Sequence, residues 1–446
     1  MPDMHLPPTA MDGKNPANLR GDPIDAQRYY EPEFAKAEWD RLWTKIWHVA
    51  GRLNELEEPG DFIVHDFLHE SVIVVKQDDG SLRGFYNACM HRGIRLVRES
   101  SSVPSFSCPY HGWVWNKNGS LDHAPRADNF AAGNPCGKLT LKPVRVAAWG
   151  GFVWYTMSES APELLDYLAP FPALFSGYPM ERLVRVYQVK IDIRTNWKFA
   201  LDNFSESYHV ETAHPQVPAF VEQDPATTRI EMYPRGHGRT VQPFRPSLSL
   251  PEDGATAYFD ALLRQWDIDP DIYPDYRTKV INGWKDLKAA KRRLWRERGY
   301  RHYEHMDDEQ ITDSIHTTLF PNISLTFNAD SIFMMRTEPH PADPESCTFD
   351  FWAMEFPVEG QTNAKTAMVG DKPLPLAEAP PLRRAFDGGK GVPELAGGVI
   401  AQDLSLAEDV QRGMRSRGYA EPYLANSETR VRYFHEVLND YLAGRR

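Results

Sequence analysis

Two short loops constrain this chain more than any other feature. One reads Cys89-Met90-His91; the other, sixteen residues further on, reads Cys108-Pro109-Tyr110-His111. Each supplies one thiolate and one imidazole, and four such donors at short, matched spacings call for a metal. The loops must therefore meet in space, and the chain around them must hold them there. Short alternating and apolar runs from Asp61 to Val75, a hairpin turn at Asp79-Gly80 and further short strands to about Tyr155 predict a small all-β module over residues 50–157.

Zinc accepts two cysteines and two histidines, but a zinc finger groups its cysteines together and its histidines together. Here each loop carries one of each. That arrangement serves two irons differently, one held by thiolates and the other by imidazoles, which is the ligand set of a Rieske [2Fe-2S] centre. Pro109 and Gly112 suit a tight second loop, and Trp113 and Trp115 can shield it from water. Cys136 and Cys347 belong to no such motif and read as plain buried thiols.

A second constellation runs from Leu201 to His214. Glu206 and His209 are three apart, which on a helix puts them on one face. His214 lies five beyond, about 140° around an ideal helix. Both rings converge on one ion only if the helix is irregular or ends, and Pro215 favours an ending. Two histidines with carboxylates are the ligand set of a non-haem Fe(II) centre with positions open for dioxygen. Satisfied histidines on a buried helix are the alternative.

The rest of the chain sets bounds. Its 446 residues exceed one ordinary core, so two domains, or one with a large insertion, are expected. A net charge of -12 with no long basic run argues against nucleic acid. Residues 1–10 lack a signal-peptide pattern, no run approaches the ~18 apolar residues of a membrane span, and four cysteines make no disulfide framework. The expected compartment is the cytoplasm. Residues 1–24 read as an extended arm, and Asp25 to Val49 as helical with Phe34, Trp39, Leu42, Trp43 and Ile46 as its stripe. Residues 250–310, with Trp266, Trp284 and Trp295, read as surface helices. Ile323 to Phe356 reads as consecutive antiparallel strands, residues 360–398 as a long loop, and Asp403 to Leu442 as helical. No Gly-rich dinucleotide fingerprint follows a strand, so a nicotinamide is expected to bind another protein.

On these motifs the chain resembles the α (large, catalytic) subunits of Rieske non-haem iron aromatic-ring-hydroxylating oxygenases. The resemblance runs through Ile46-Trp47-His48-Val49-Ala50-Gly51, both Cys/His loops and Gly150-Gly151-Phe152-Val153-Trp154. It continues through Asn196-Trp197-Lys198, Glu206 to His214 and Phe320-Pro321-Asn322, and ends at Gln402-Asp403 with Glu408 five residues later. It implies an α+β fold: an N-terminal arm and helix (1–49), a Rieske all-β domain (50–157), and a catalytic domain (158–446) with an antiparallel sheet flanked by helices, START or helix-grip-like.

The implied cofactors are a [2Fe-2S] cluster on Cys89, His91, Cys108 and His111, and a mononuclear Fe(II) on His209, His214 and Asp403, with Glu408 and Asp409 the other carboxylates in range. Asn203 would lie close to that iron, and Tyr208 would support the helix. Glu206 would hydrogen-bond both an iron histidine and a cluster histidine of a neighbouring subunit. Most ring hydroxylases carry Asp there; some members, including those acting on quaternary amines, carry Glu. Phe204, Leu319, Asn322, Leu325, Phe327, Phe333 and Phe351 fall on segments that line the pocket. The implied partners are dioxygen, a ferredoxin and/or NAD(P)H-dependent reductase, a small hydrophobic or aromatic substrate, and further copies in a homotrimer or an α3β3 assembly with a small β subunit. The expected function is hydroxylation of that substrate, by cis-dihydroxylation or monooxygenation. Dealkylation or oxidation of a quaternary amine is the alternative within the class. A pure electron carrier would need only the first centre.

Overall fold

The computed structural model describes residues 19–224, 226–251, 256–369, 372–385 and 398–446, so most of the expected N-terminal arm lies outside the described residues. The chain divides into two units, Glu38–Leu168 and a larger one that joins Ala169–Arg446 to the segment before Glu38. The smaller unit thus exceeds the expected 50–157 at both ends. The helix Pro32–Glu38 passes into a π turn, Trp39–Trp43, and stops. Trp47–Arg52, expected to begin within the helical stripe, is instead an edge strand with all six residues buried. Aromatic and β-branched residues at Trp47, His48 and Val49 favour that pleated state over another helical turn.

Among the described residues, the smaller unit holds a seven-stranded antiparallel sheet. Its spatial order is Trp47–Arg52, Phe152–Thr156, Pro143–Trp149, Leu82–Tyr86, Glu70–Lys76, Asp61–Phe67, Ser101–Ser102. Three short strands, Ser105–Ser107, Val114–Asn116 and Leu121–His123, form a second sheet. Within Glu70–Lys76 the side chains alternate between two cores, as the period of a strand requires. Val72 and Val74 pack with Ile63, Val153 and Tyr155; Ile73 and Val75 pack with Phe62, Phe85, Phe106 and Trp115. Cys89 and Cys108 belong to the second of these cores.

The larger unit is built on an eight-stranded sheet, again among the described residues. Its order is Arg229–Met232, Gly238–Pro243, Asp313–Leu319, Ile323–Phe327, Ser331–Pro339, Cys347–Glu355, Val184–Ile193, Leu382–Ala385. Neighbours are antiparallel except the last pair, which is parallel. The expected long loop over 360–398 is in its described parts largely strand, Asn363–Val369, Lys372–Pro375 and Leu382–Ala385; residues 370–371 and 386–397 lie outside the described residues. Backbone pairing, rather than an apolar pattern, orders these strands. The surface-helix reading of 250–310 holds for Ala257–Gln265 and Trp284–Leu294, but Trp266 is buried against Tyr300 at 5.0 Å.

Register fixes which residues share a face. His316 pairs with Thr326, Thr326 with Phe333 and Phe333 with Ala353. Thr318 pairs with Ser324, Ser324 with Met335 and Met335 with Phe351. These residues form an inner face over which the helix Lys198–Phe204 lies, with the Phe204 ring 6.3 Å from His316 and 6.1 Å from Phe349. His316, Thr326 and Phe333 are only half-buried although they sit on central strands.

In the smaller unit, Gly119 takes φ +88° in the turn before Leu121–His123, where a Cβ would lie 2.4 Å from Phe85 Cε1. Gly119→Ala combines a left-handed alanine with overpacking, so we expect a loss of about 2–4 kcal/mol in thermal or denaturant unfolding. Gly80→Ala, at φ +80° with nothing within 4 Å of its Cβ, serves as the control and should lose only about 1 kcal/mol.

Candidate metal centres

Both Cys/His loops close in the same way. Gly93 N donates to Cys89 O at 2.9 Å and Gly112 N to Cys108 O at 3.0 Å, and both glycines are left-handed, φ +79° and +69°. Cys89 N returns to Ile94 O at 2.9 Å, and Cys108 N to Trp113 O at 2.7 Å. These turns bury the thiols and bring the imidazoles toward the surface. Cys89 and Cys108 are 2% exposed, whereas Met90 and Tyr110, beside the histidines, are 50% exposed.

The His91 and His111 rings lie 4.5 Å apart with their Nδ1 atoms at 3.1 Å, and His91 stacks on Trp113 at 4.7 Å. Burial, then the neighbouring His111 and Arg92, hold His91 below its ordinary pKa, which favours the neutral ligating form. Burial raises the Cys89 thiol, while the Trp115 indole beside it pulls the other way. That indole N–H is buried and faces the Cys89 sulfur without any other hydrogen-bond partner. Two buried thiols, two adjacent imidazole nitrogens and an indole N–H aimed at one of the thiols fit a [2Fe-2S] cluster bound through Cys89, Cys108, His91 and His111. Cys347 is a buried thiol, as expected; Cys136 is only partly buried.

The second centre depends on a broken helix. Lys198–Phe204 ends at Ser205, and a separate turn, Val210–Ala213, begins after His209. Glu206 fills the break. Its Oε1 lies 2.5 Å from His209 Nδ1, and its Oε2 accepts the backbone N–H groups of Tyr208 and, at 3.2 Å, of His209. The three-residue spacing is thus satisfied by a capped turn rather than by a continuous helix. His214 closes the second turn with φ -130° and ψ 64°, outside helical values, which swings its ring toward His209.

The carboxylate arrives from Val399–Met414, whose buried stripe is Ile400, Ala401, Asp403, Leu404, Ala407 and Gln411. His214 Nε2 lies 2.9 Å and His209 Nε2 3.5 Å from Asp403 Oδ1, and one ligand atom from each residue falls within a 4.8 Å set. His214 Nδ1 lies 2.8 Å from Gln402 Oε1, so both histidines have their outer nitrogen tied and the inner one turned to a common point. Burial lowers the His214 pKa, but Asp403 outweighs it and the ring lies above its ordinary value. Positive charge is therefore favoured where a cation would sit. Of the neighbouring carboxylates on this helix, Asp409 is 86% exposed beside Arg412 and Glu408 is half-buried; neither joins the set. The two imidazoles and one carboxylate fit Fe(II). Asn203 keeps a buried side-chain N–H donor group without a partner, two residues before the break.

Several expected site residues fall elsewhere. Tyr208 is 68% exposed, so its ring does not brace the helix from within. Phe204, Phe333 and Phe351 belong to the site side, with Phe351 packed on Phe333 at 5.8 Å. Leu319, Leu325 and Phe327 point to the opposite face, because their strand positions differ by an odd number from His316 and Thr326. Phe327 stacks there on Phe175 at 4.0 Å. Asn322 donates through Nδ2 to Thr337 O at 2.8 Å and holds a turn. His316, which carries no motif, was not anticipated. It reaches Thr326 Oγ1 and Ser324 Oγ, each at 2.9 Å.

A small β unit with two buried thiols and two outer imidazoles, followed by a two-histidine, one-carboxylate set on an antiparallel α+β unit, defines a two-centre iron protein of the Rieske type. Its sequence matches the Rieske [2Fe-2S] domain over residues 46–143 and the ring hydroxylating alpha subunit (catalytic domain) over residues 180–444, and the chain belongs to that family of α subunits. It is 32% identical over 208 residues to the carnitine monooxygenase oxygenase subunit of Escherichia coli (strain K12), covering 45% of this chain and 54% of the relative. It is 33% identical over 192 residues to the chloroplastic choline monooxygenase of Atriplex hortensis, covering 42% and 44%. The chain thus spans about half the length of these curated relatives. A solved quaternary ammonium Rieske monooxygenase shares the fold, with a TM-score of 0.66 over 94% of this chain and 95% of that one at 20% identity.

Anaerobically purified protein is expected to hold about three irons and about two acid-labile sulfides per chain. Asp403→Ala should lose the mononuclear iron, about one third of the total, while the visible cluster spectrum survives; Asp409→Ala should lose neither. Iron analysis with absorption spectroscopy checks both, and full iron in Asp403→Ala would assign the third ligand elsewhere.

Proposed function

We propose that this chain is the terminal oxygenase of a multicomponent system that hydroxylates an N-methyl or adjacent carbon of a quaternary ammonium substrate. The net reaction inserts one oxygen atom of O2 into a C–H bond and reduces the other to water, consuming two electrons and two protons. If the hydroxylated carbon is bound to nitrogen, the product releases an aldehyde and the shortened amine. The observation that carries this reading is the local identity to carnitine and choline monooxygenases across roughly 200 residues. It favours the amine alternative over the arene expected first.

Phe204, Tyr187, Phe333 and Phe351 supply aromatic surfaces, which attract a cationic ammonium as readily as they pack an arene. A bound ferrous ion would supply dioxygen activation at its open positions. Within the chain, Glu206 and Gln402 fix the two histidine rings, and Asp403 offsets the charge of the ion. Electrons reach the cluster from NAD(P)H through a separate reductase or ferredoxin. Glu206 is also the link to the outer-iron histidine of a neighbouring copy in a trimer, and this bridge depends on the second acceptor oxygen of its carboxylate.

The substrate class is tested by turnover with a matched reductase under labelled dioxygen. Labelled alcohol or aldehyde from trimethylammonium compounds supports the reading; a cis-diol from an arene, with no amine turnover, would overturn it. Glu206→Gln replaces an acceptor oxygen by a donor. With both metals loaded, product formation should fall at least about a hundredfold, and Glu206→Asp should retain more. Single-turnover oxidation of the pre-reduced cluster at the wild-type rate in Glu206→Gln would remove the bridge. Loss of mononuclear iron instead would make Glu206 a ligand.

A further inference from the structure

The inner face of the larger sheet carries a buried cation that neither iron centre uses. Arg430, near the start of the helix Thr429–Leu442, is 3% exposed. Its Nη1 donates to Thr240 Oγ1 at 2.6 Å and its Nη2 to Thr318 Oγ1 at 3.0 Å, while its buried Nε has no hydrogen-bond partner. Among the described residues no carboxylate lies within ion-pair distance of it. Two other buried arginines of this unit meet carboxylates, Arg245 with Glu222 at 2.8 Å and Arg336 with Asp350 at 2.7 Å, as does the partly buried Arg239 with Glu231. A buried guanidinium held only by hydroxyls is incomplete, since buried charges ordinarily meet an opposite charge.

Position ties this arginine to the site. Thr240 is the cross-strand partner of His316, and Thr318 is the partner of Gly238. Gly238 has no side chain to displace the guanidinium; a Cβ there would lie 3.2 Å from Nε. His316 is half-buried on this face and lies 6.3 Å from the ring of Phe204, next in sequence to Asn203. Burial draws the Arg430 guanidinium down to about 9 while nearby Glu206 favours its charged form, yet the oxygens of that carboxylate are engaged by the His209 ring and the backbone of Tyr208 and His209. Burial and then the repulsion of Arg430 push His316 down to about 3, so that imidazole is neutral and leaves the arginine as the cation at this rung.

We propose that Arg430 anchors a carboxylate of the substrate, so that the site takes zwitterions with an ammonium at one end and a carboxylate at the other. The ammonium half of this proposal rests on the function proposed above; the carboxylate half does not. The guanidinium is planar and carries five N–H donors, more than the two threonine hydroxyls occupy, which matches the demand of a carboxylate. Thr240 and Thr318 set its orientation before substrate arrives.

The test uses iron-loaded protein, with binding read anaerobically by calorimetry and turnover read as KM and kcat once dioxygen and a matched reductase are supplied. One pair of probes is glycine betaine against choline, which share a trimethylammonium head and differ in the carboxylate. A second pair is benzoate against benzyl alcohol. In the wild type the carboxylate member should bind at least about tenfold more tightly, Arg430→Gln should bring the ratio toward one, and Arg430→Lys should keep part of it. The wild-type ratio needs no variant, and cluster absorption with thermal unfolding reports whether each variant folds. No carboxylate preference in either pair overturns the proposal. So does an Arg430→Gln variant that folds and weakens both members equally, because the arginine would then serve Glu206 or the packing. A preference confined to benzoate keeps the anchor and overturns the ammonium reading alone.

Discussion

Asp403 and His214 are 189 positions apart, and their contact at 2.9 Å is what the larger unit has to preserve. A carboxylate and two imidazoles brought together without an ion place polar groups where burial disfavours them, so the supporting shell must hold them against that cost. Gln411, two turns beyond Asp403, accepts from Asn196 N at 2.8 Å and donates to Tyr29 O at 3.1 Å. Those bonds pin the carboxylate helix to the segment that leads into Lys198–Phe204. Gln402 performs the nearer task, accepting from Gln216 at 2.8 Å while meeting His214. The histidine turns and the carboxylate helix are thereby fixed to each other through side-chain amides, which supply donors and acceptors without adding charge.

A second set of buried polar groups holds the other end of the site helix. Asp202 accepts from Tyr29 Oη at 2.6 Å and lies 3.0 Å from His435 Nε2; Arg28 Nη1 lies 2.8 Å from His435 Nδ1. Burial, reinforced by Asp202, raises Tyr29 well above its usual pKa. Burial lowers His435 although Asp202 opposes it. The hydroxyl and a neutral ring therefore serve as hydrogen-bond partners rather than as a row of charges. Satisfied networks of this kind fix one geometry at the expense of tolerance to substitution. Here the fixed geometry is that of the residue immediately before Asn203, in the last turn before the helix breaks at Glu206.

What could be read from sequence follows how local each feature is. The four cluster donors lie in two closed turns of a few residues, so spacing alone pointed to the first centre; the two histidines flank a single turn ending at Pro215, and there spacing left satisfied helix histidines as the alternative. Asp403 came only through resemblance, because nothing local distinguishes it from Glu408 or Asp409; the buried stripe of its helix makes the choice. The pocket was the least legible. Leu319 and Leu325 sit on the right strands but the wrong side, and sidedness depends on pairing register that a single sequence does not carry. Trp47–Arg52 and the strands after Asn363 were misread for a related reason: their pairing partners are distant in sequence. Arg430 had no signal, being one arginine in a helical stretch.

The charges of the site now fall into an order. A bound ferrous ion would bring a double positive charge, which the carboxylates of Asp403 and Glu206 would offset; the neutral His316 adds none. Ser324, Thr326, Thr240 and Thr318 give the inner face polarity through hydroxyls. Under the proposed function, an ammonium entering this space would meet aromatic faces and, with the ion bound, a centre whose charge the carboxylates offset. Of these groups Arg430 alone is left without an opposite charge in contact. The balance therefore favours a substrate that brings its own anion, and the distance between the two ends of that substrate becomes the quantity that decides which carbon stands at the metal.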